Sequence, residues 1–535
     1  MKNILIGGAW PSVNGSLHIG HIAGLLPGDV LARYYRAKGD AVFYVSGSDC
    51  HGTPITIRAR EEGSTPQEIS ERYHAENCRV FDALGFRFDL YGKTSAQWHL
   101  DFVRDFHEKM YSGGYVYEKT APQAYCNVCQ KALSDRQVVG SCPRCAADAR
   151  GEQCDACDAL LTPETLENPH CAQCGQAVDF APSTHLYLAL SRLAPQLRLL
   201  LNTRPHWRKN AVAFTKRYLD EGLPDRAITR DLPWGIDVPR AGFSQKKIYV
   251  WAENVLGYLS ASAELAAQRG LPFCALWGRN ARHYYVHGKD NIPFHTIMLP
   301  ALLLAQGEGL RLPDDIISAE HLTLEGKRIS TSRNWAVWAK DVAFQYNPDA
   351  LRYFFLINGP EKRDTDFSWR EFVTRNNSEL LGAFGNFVNR TLAFIQKYQD
   401  GIAPNAAMDA AIQAEIDSAF AAVGEKIEAG EIKEALETAF ALVRCANQYF
   451  DAQQPWKTRT SDPAACARTL YHCMQLTANL AALLAPFLPF ACEKIRSWLG
   501  TELSWHRQTV AAGYELPELS LLFERLETPE DARIS

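Results

Sequence analysis

At 535 residues, 47% of them apolar and 22% charged, the chain exceeds what one hydrophobic core serves and is ordinary enough to pack throughout, so two to four domains are expected. A net charge of −5 excludes a protein that coats nucleic acid non-specifically, yet leaves room for a specific RNA met through local basic patches. The first residues reach Gly7, Trp10 and Pro11 too soon for a secretory h-region, and no apolar run, Leu480–Leu488 included, suits a bilayer, so a cytoplasmic protein without a membrane partner is expected.

In chain order, Ile4-Leu5-Ile6 reads as a short strand, Gly7–Gly15 as a loop, and His18 onward as a helix carrying Ile19, Ile22, Leu25 and Leu26. A second strand follows at Ala41–Val45 and ends in Ser46-Gly47-Ser48-Asp49. Strand, helix, strand in this order implies a parallel βαβ unit, with ligands at the carboxyl ends of the strands. At that helix start stands His18-Ile19-Gly20-His21. Residues three apart share a helix face, exposed first-turn N–H groups favour phosphate, and Gly20 lets a nucleotide approach the backbone.

From about Tyr115 to Val178 the periodicity gives way to turns rich in Gly, Pro and Asp. Eight of the 15 cysteines fall there in four Cys-x-x-Cys pairs: Cys126/Cys129, Cys142/Cys145, Cys154/Cys157 and Cys171/Cys174. In a reducing compartment this reads as metal ligation and not as a disulfide framework. Eight thiolates make two closed four-thiolate zinc sites, structural because no position is left for water. The other seven cysteines read as small core residues. The α/β pattern resumes at Ile248-Tyr249-Val250-Trp251 and at His283–His287, so the insertion splits one nucleotide-binding domain. After about Asn376 the chain turns helical, and Ile412, Ile416, Phe420, Val423 and Ile427 form the stripe of a packed helix. Asn386 and Arg390 lie one helical turn apart there, with Pro455-Trp456 further on.

His18–His21, following the loop Trp10-Pro11-Ser12-Val13-Asn14-Gly15-Ser16-Leu17, resembles the HIGH signature of class I aminoacyl-tRNA synthetases. The family's second signature, Lys-Met-Ser-Lys-Ser, is matched downstream by Gly326-Lys327-Arg328-Ile329-Ser330-Thr331-Ser332-Arg333, where Arg328 and Thr331 replace the two lysines. Ser48–Ile55, Tyr249–Glu253 with Gly257-Tyr258, and Gly288-Lys289-Asp290 with Phe294-His295 resemble the methionine branch of that family.

The resemblance implies an α/β fold: a Rossmann-type parallel-sheet catalytic domain split by a zinc-binding connective insertion, then an α-helical anticodon-binding bundle. The implied divisions are 1–114, 115–235, 236–318, 319–375 and 376–535. It implies a methionine–tRNA ligase that forms methionyl-adenylate from methionine and ATP with Mg2+, then charges the 3′ end of tRNA(Met), as a monomer. His18, His21, Lys327, Arg328 and Ser330 would be catalytic. Asn14, Gly20, Gly288, Asp290, Ile329 and Thr331 would join the two histidines around ATP. Trp10, Ser12, Asp49, Trp251, Tyr258, Phe294 and His295 would bind the amino acid, with Asp49 holding its ammonium and the aromatic rings suiting a thioether. The inner two cysteine pairs would share one zinc and the outer two the other. Asn386, Arg390 and Trp456 would read the anticodon, by stacking and by contacts to base edges.

The chain departs from the pattern in three places. Trp10 and Ser12 stand where many relatives carry leucine or alanine-proline-tyrosine, Val255 stands where proline is common, and the second signature is poor in lysine. Leucine, isoleucine and valine synthetases would bring a large editing insertion in place of zinc turns. A cysteine synthetase would hold zinc in its active site through scattered ligands. A catalytically silent RNA-binding paralogue, or one serving a secondary pathway, would share most of these residues, although the intact His18 and His21 speak for activity.

Overall fold

The computed structural model describes residues 3–133, 137–151, 154, 156–157, 159, 161–330 and 335–528. Ile4, Leu5 and Ile6, all fully buried, lie in the strand Asn3–Gly8 at the centre of an all-parallel sheet. Its order is Asp315–Ala319, Ala281–Gly288, Asn3–Gly8, Ala41–Ser48, Leu90–Lys93. Burial along these strands is nearly continuous, as in a sheet covered on both faces. Alternate residues serve two cores. Ile4, Ile6, Val42 and Tyr44 pack with the helix Ile19–Ala37, and Leu5, Phe43 and Val45 pack on the opposite side with the helix Gly257–Gln268. The strand order reverses beside Asn3–Gly8, so the loops leaving the strands there open a crevice.

Two expectations need correcting. The edges of the cysteine-rich segment are long strands, Val116–Cys126 and Asp179–Leu188, paired antiparallel from Val116↔Leu188 to Tyr125↔Asp179. Few of their side chains are buried, two in the first strand and three in the second, so no alternation betrays them, and Pro122 faces Pro182 in mid-strand, where proline normally argues against strand. Tyr249-Val250-Trp251, in turn, is no sheet strand. Only Lys247–Ile248 pairs, with Thr229–Arg230, and the chain then winds through 3-10 turns at Val250–Ala252 and Asn254–Leu256. A short apolar run cannot by itself separate these possibilities.

Beyond the sheet, Leu322–Leu324 and Lys327–Arg328 form a hairpin across Glu325-Gly326, both at positive φ (48° and 77°), the backbone that a tight two-residue hairpin turn requires. The bundle comprises Asn386–Tyr398, Ala410–Glu428, Ile432–Gln453, Pro463–Leu484 and Pro489–Leu499. Ile416, Phe420, Val423 and Ile427 are buried on the expected stripe, Ile412 only partly. Arg352 locks the bundle to the helix Ile19–Ala37: its Nη2 donates to Asp29 Oδ2 at 2.7 Å and to Pro486 O at 3.1 Å, and its Nε donates to Phe487 O at 3.0 Å. A buried guanidinium is tolerated only with such full pairing. Among the described residues, no helix is long and apolar enough to cross a membrane.

Candidate active site

The helix Ile19–Ala37 starts at the carboxyl end of the central strand, with His18 as its N-cap. His18 Nδ1 accepts from Gly20 N and His21 Nδ1 accepts from His18 N, each at 3.1 Å, and the ring centroids stand 3.8 Å apart. An imidazole that accepts through Nδ1 carries its proton on Nε2. Burial pushes His18 down to about 2, helped by the neighbouring His21, and pushes His21 down to about 4. Two neutral rings therefore present two Nε2–H donors at a helix N-terminus. The helix start is partly capped by the histidines themselves, which refines the expectation of open first-turn donors. Gly20 also leaves room for the His18 ring, since a Cβ there would lie 2.9 Å from it.

Asp49 ends the adjoining strand. Its backbone bonds to Pro11 and Val13, at 2.9 and 3.0 Å, tie the first loop beside it, and exposed Ser12 bridges to it. Its carboxyl accepts from His51 N at 3.3 Å. Burial, reinforced by Glu253, pushes this carboxyl up to about 7. Glu253, absent from the expected site, is fully buried and accepts on Oε1 from His51 Nδ1 at 3.0 Å and His99 Nε2 at 3.1 Å. Burial opposes its ionisation, but the two imidazoles hold it down to about 2. Two neighbouring carboxyls are thus driven apart, one held low by its imidazoles and one pushed up by burial.

The aromatic residues converge beside this pair. Trp10 meets Tyr258 edge-on at 6.3 Å, and the Tyr258 hydroxyl donates to His295 Nε2 at 2.8 Å because His295 Nδ1 is committed to Asn291 O. Trp251 meets Phe294 edge-on at 4.9 Å. A Cβ on Gly47 or Gly257 would lie 2.3 or 2.8 Å from the Trp10 ring, so those glycines make room for this large residue. Asn14 and Asp290 are exposed at the rim and Gly288 closes the strand Ala281–Gly288. In the second signature, Ile329 Cδ1 comes within 3.6 Å of the space over Gly20, bringing the two motifs together. Lys327 and Arg328 are exposed, Ser330 is half-buried, and Thr331 lies outside the described residues.

The cysteines gather as Cys126, Cys129, Cys171, Cys174 and as Cys142, Cys145, Cys154, Cys157, the outer and inner pairs respectively. Their Sγ atoms approach to 3.5 Å (Cys126–Cys174), 3.9 Å (Cys129–Cys171), 3.8 Å (Cys142–Cys157) and 3.6 Å (Cys145–Cys154). Zn–S bonds of about 2.3 Å set tetrahedral sulfurs about 3.8 Å apart, so both clusters fit zinc and are far too open for disulfides. Arg60, on the helix that follows Asp49, donates to Gln173 at 2.6 Å and props the outer cluster near the crevice.

At the far end of the bundle, Arg390 lies 4.3 Å from the Phe450 ring and 5.9 Å from the Trp456 ring, and pairs with Asp451 at 2.7 Å. Trp456 stays 38% exposed, and exposed Asn386 begins the same helix as Arg390. A tryptophan left half in water beside a guanidinium is a ready stacking platform.

The sequence reading missed Glu253 and its two imidazoles. The only signal was that His51 and Glu253 fall inside the two stretches already singled out beside Asp49 and Trp251. A groove of about 650 Å³ among Arg204, Arg282, Arg311, Asp314 and Asp315 lies at the opposite, amino-terminal end of the strands. Its arginines are all paired with aspartates.

Residues 4–392 match the family model described as tRNA synthetases class I (M), and residues 401–525 match the anticodon binding domain of methionyl tRNA ligase. The chain is 50% identical over 532 residues to the methionine–tRNA ligase of Bacillus mycoides (strain KBAB4), spanning 99% of this chain and 97% of that protein. It is 49% identical over 532 residues to methionine–tRNA ligase 2 of Bacillus anthracis, with the same coverage. The structure of Mycobacterium tuberculosis methionyl-tRNA synthetase in complex with methionyl-adenylate shares the fold. Its TM-score is 0.82 at 24% identity, over 98% of this chain and 100% of that one.

Proposed function

The chain belongs to the class I methionyl-tRNA synthetases and is a methionine–tRNA ligase, and we propose how its own residues carry out that reaction. It binds methionine, ATP and tRNA. The finer readings are proposals: tRNA(Met) as acceptor, ATP taken up with Mg2+, two structural zinc ions, a monomer, and a reducing cytoplasm that keeps the 15 cysteines out of disulfides. The divisions 1–114, 115–235, 236–318, 319–375 and 376–535 serve as working units.

The observation that carries the mechanism is the pair of neutral histidines facing the second signature across Gly20. ATP lies with its phosphates on the Nε2–H donors of His18 and His21, which hydrogen-bond charge as it develops without being cations beforehand. Asp49 takes the ammonium of methionine, and Trp10, Tyr258, His295, Trp251 and Phe294 enclose its side chain. A carboxylate oxygen of methionine attacks the α-phosphorus, the bond to pyrophosphate breaks, and Lys327 and Arg328 meet the departing charge. A ribose hydroxyl at the tRNA 3′ end then attacks the adenylate carbonyl and AMP leaves. Pyrophosphate exchange run with each amino acid tests this reading: exchange with methionine supports it, and none with any amino acid would favour the silent paralogue.

Gly20→Ala forces the His18 ring aside, and a displaced donor costs about 10–100-fold in exchange rate, with methionine KM nearly unchanged. An unaltered rate in this variant would mean that the ring has room to move.

The eight cysteines hold two zinc ions whose role is to fold the knuckles, since the small core around Leu133, Val138 and Leu166 is too little to order the segment alone. About two zinc ions per chain are expected in metal analysis, by two closed four-thiolate sites. Chelation should expose residues 126–174 to protease before the rest of the chain. Folded protein free of zinc would contradict this.

Trp456→Ala should lower tRNA charging about tenfold or more, the scale of one lost stacked base, while methionine-dependent exchange holds. Equal losses in both assays would make the ring a packing residue only.

A further inference from the structure

Trp335 ties the two signatures together. It exchanges both backbone hydrogen bonds with Ser330, at 2.9 and 3.0 Å. Its indole Nε1 donates to Leu324 O at 3.2 Å, and Leu324 is the hairpin partner of Lys327. The Lys327 ammonium stands 4.8 Å from the indole centroid. A few residues on, the same segment pairs with the entrance of the phosphate-binding helix. Ile19 N donates to Val337 O at 3.0 Å, Ala339 N donates to Leu17 O at 2.8 Å, and His18 lies opposite Trp338. One run of backbone, Trp335 to Ala339, thus fixes both the hairpin of the second signature and the histidines of the first.

We propose that Trp335 is a positioning residue for the activation step, holding the hairpin and its Lys327 ammonium at a set place relative to His18 and His21. The inference rests on Lys327 carrying charge for the reaction, as proposed above. An ammonium on a long flexible stem is otherwise distributed over many rotamers. An aromatic face restricts it without neutralising it, because the attraction is to the ring quadrupole and leaves the cation's other donors available. When pyrophosphate departs, the cation is already within the hairpin's reach of it, so little of its freedom is lost at that moment.

The test is a double-mutant cycle in the full chain, read by methionine-dependent pyrophosphate exchange, with W335L, W335F, K327A and the combined variants. W335L should lower the exchange rate about tenfold, the scale of a cation–π contact with its hydrogen bond, with methionine KM within about twofold. W335F, which keeps a ring face but has no indole N–H, should restore the greater part. In the K327A background W335L should cost under about twofold, because a residue that acts through Lys327 has nothing left to position. The same loss in both backgrounds, or a loss shared with methionine affinity and thermal midpoint, would overturn the proposal by making Trp335 a packing residue. Should W335L fail to fold, W335F in the two backgrounds supplies the same cycle. Full activity of K327A would strike the premise itself, and is told apart because it needs no change at Trp335.

Discussion

Replacing Lys327 and Arg328 together with alanine lowers the rate of methionine activation about 10²–10³-fold, on the scale of losing an oxyanion donor, with a smaller change in methionine affinity. The reaction moves negative charge onto the leaving pyrophosphate, and a fixed cation near it lowers the barrier more than it stabilises bound ATP. In the unliganded protein His18 and His21 do not offer that cation, because burial holds both imidazoles well below their ordinary range. Lys327 and Arg328 are exposed at the end of the hairpin whose next residue, Ile329, reaches the space over Gly20. Arginine can grip two phosphate oxygens at once where lysine offers a point charge, so the pair can replace the family's two lysines with altered geometry. Single-turnover formation of methionyl-adenylate measures the rate directly. A double variant with full rate would show that the hairpin is not catalytic and that the two histidines suffice.

Asp49→Asn raises the methionine KM about 10²–10³-fold, because a charge-assisted hydrogen bond in an enclosed site is lost, and leaves ATP binding nearly intact. The pH dependence is a sharper test. The Asp49 carboxyl is pushed up to about 7 from its ordinary 3.8, so below that pH the unliganded protein carries it protonated, unable to pair with an ammonium. Methionine affinity should therefore fall as pH drops below about 7. The sign for stability follows from proton linkage. A carboxyl whose folded pKa is raised leaves the folded state holding more protons between 3.8 and about 7, so its stability contribution shrinks as pH rises through that window. Above it the unpaired charge is a standing cost that the substrate ammonium relieves. Methionine should raise the melting midpoint more at pH 8 than at pH 6, and this difference should vanish in Asp49→Asn. A methionine-induced shift independent of pH would rule out Asp49 as the ammonium partner.

Where residues that act together are close in the chain, their chemistry was legible in the sequence. His18 and His21 sit in one turn of helix, so their shared face and place after the first strand follow from local spacing. The four Cys-x-x-Cys turns declare their ligand type for the same reason, and the paired clusters assemble as expected, outer with outer and inner with inner. The stripe from Ile412 to Ile427 likewise predicted its own burial, except at Ile412, which is only partly covered. Periodicity failed where exposure erased it, as in the strands Val116–Cys126 and Asp179–Leu188, and where a short apolar run at Tyr249-Val250-Trp251 could be strand or turn. Only the tertiary structure decided the charge states. Glu253 meets His51 and His99 across 202 and 154 residues of chain, and without those imidazoles nothing marks it as the anion that reinforces burial in pushing the Asp49 carboxyl up. The same holds for Trp335, whose ring has meaning only once Leu324, Lys327 and the entrance of the helix Ile19–Ala37 are folded around it. Residue type and spacing determine which groups can bind phosphate, zinc or a thioether. Burial and long-range neighbours, which the fold alone brings together, determine which of them are charged and where their protons lie.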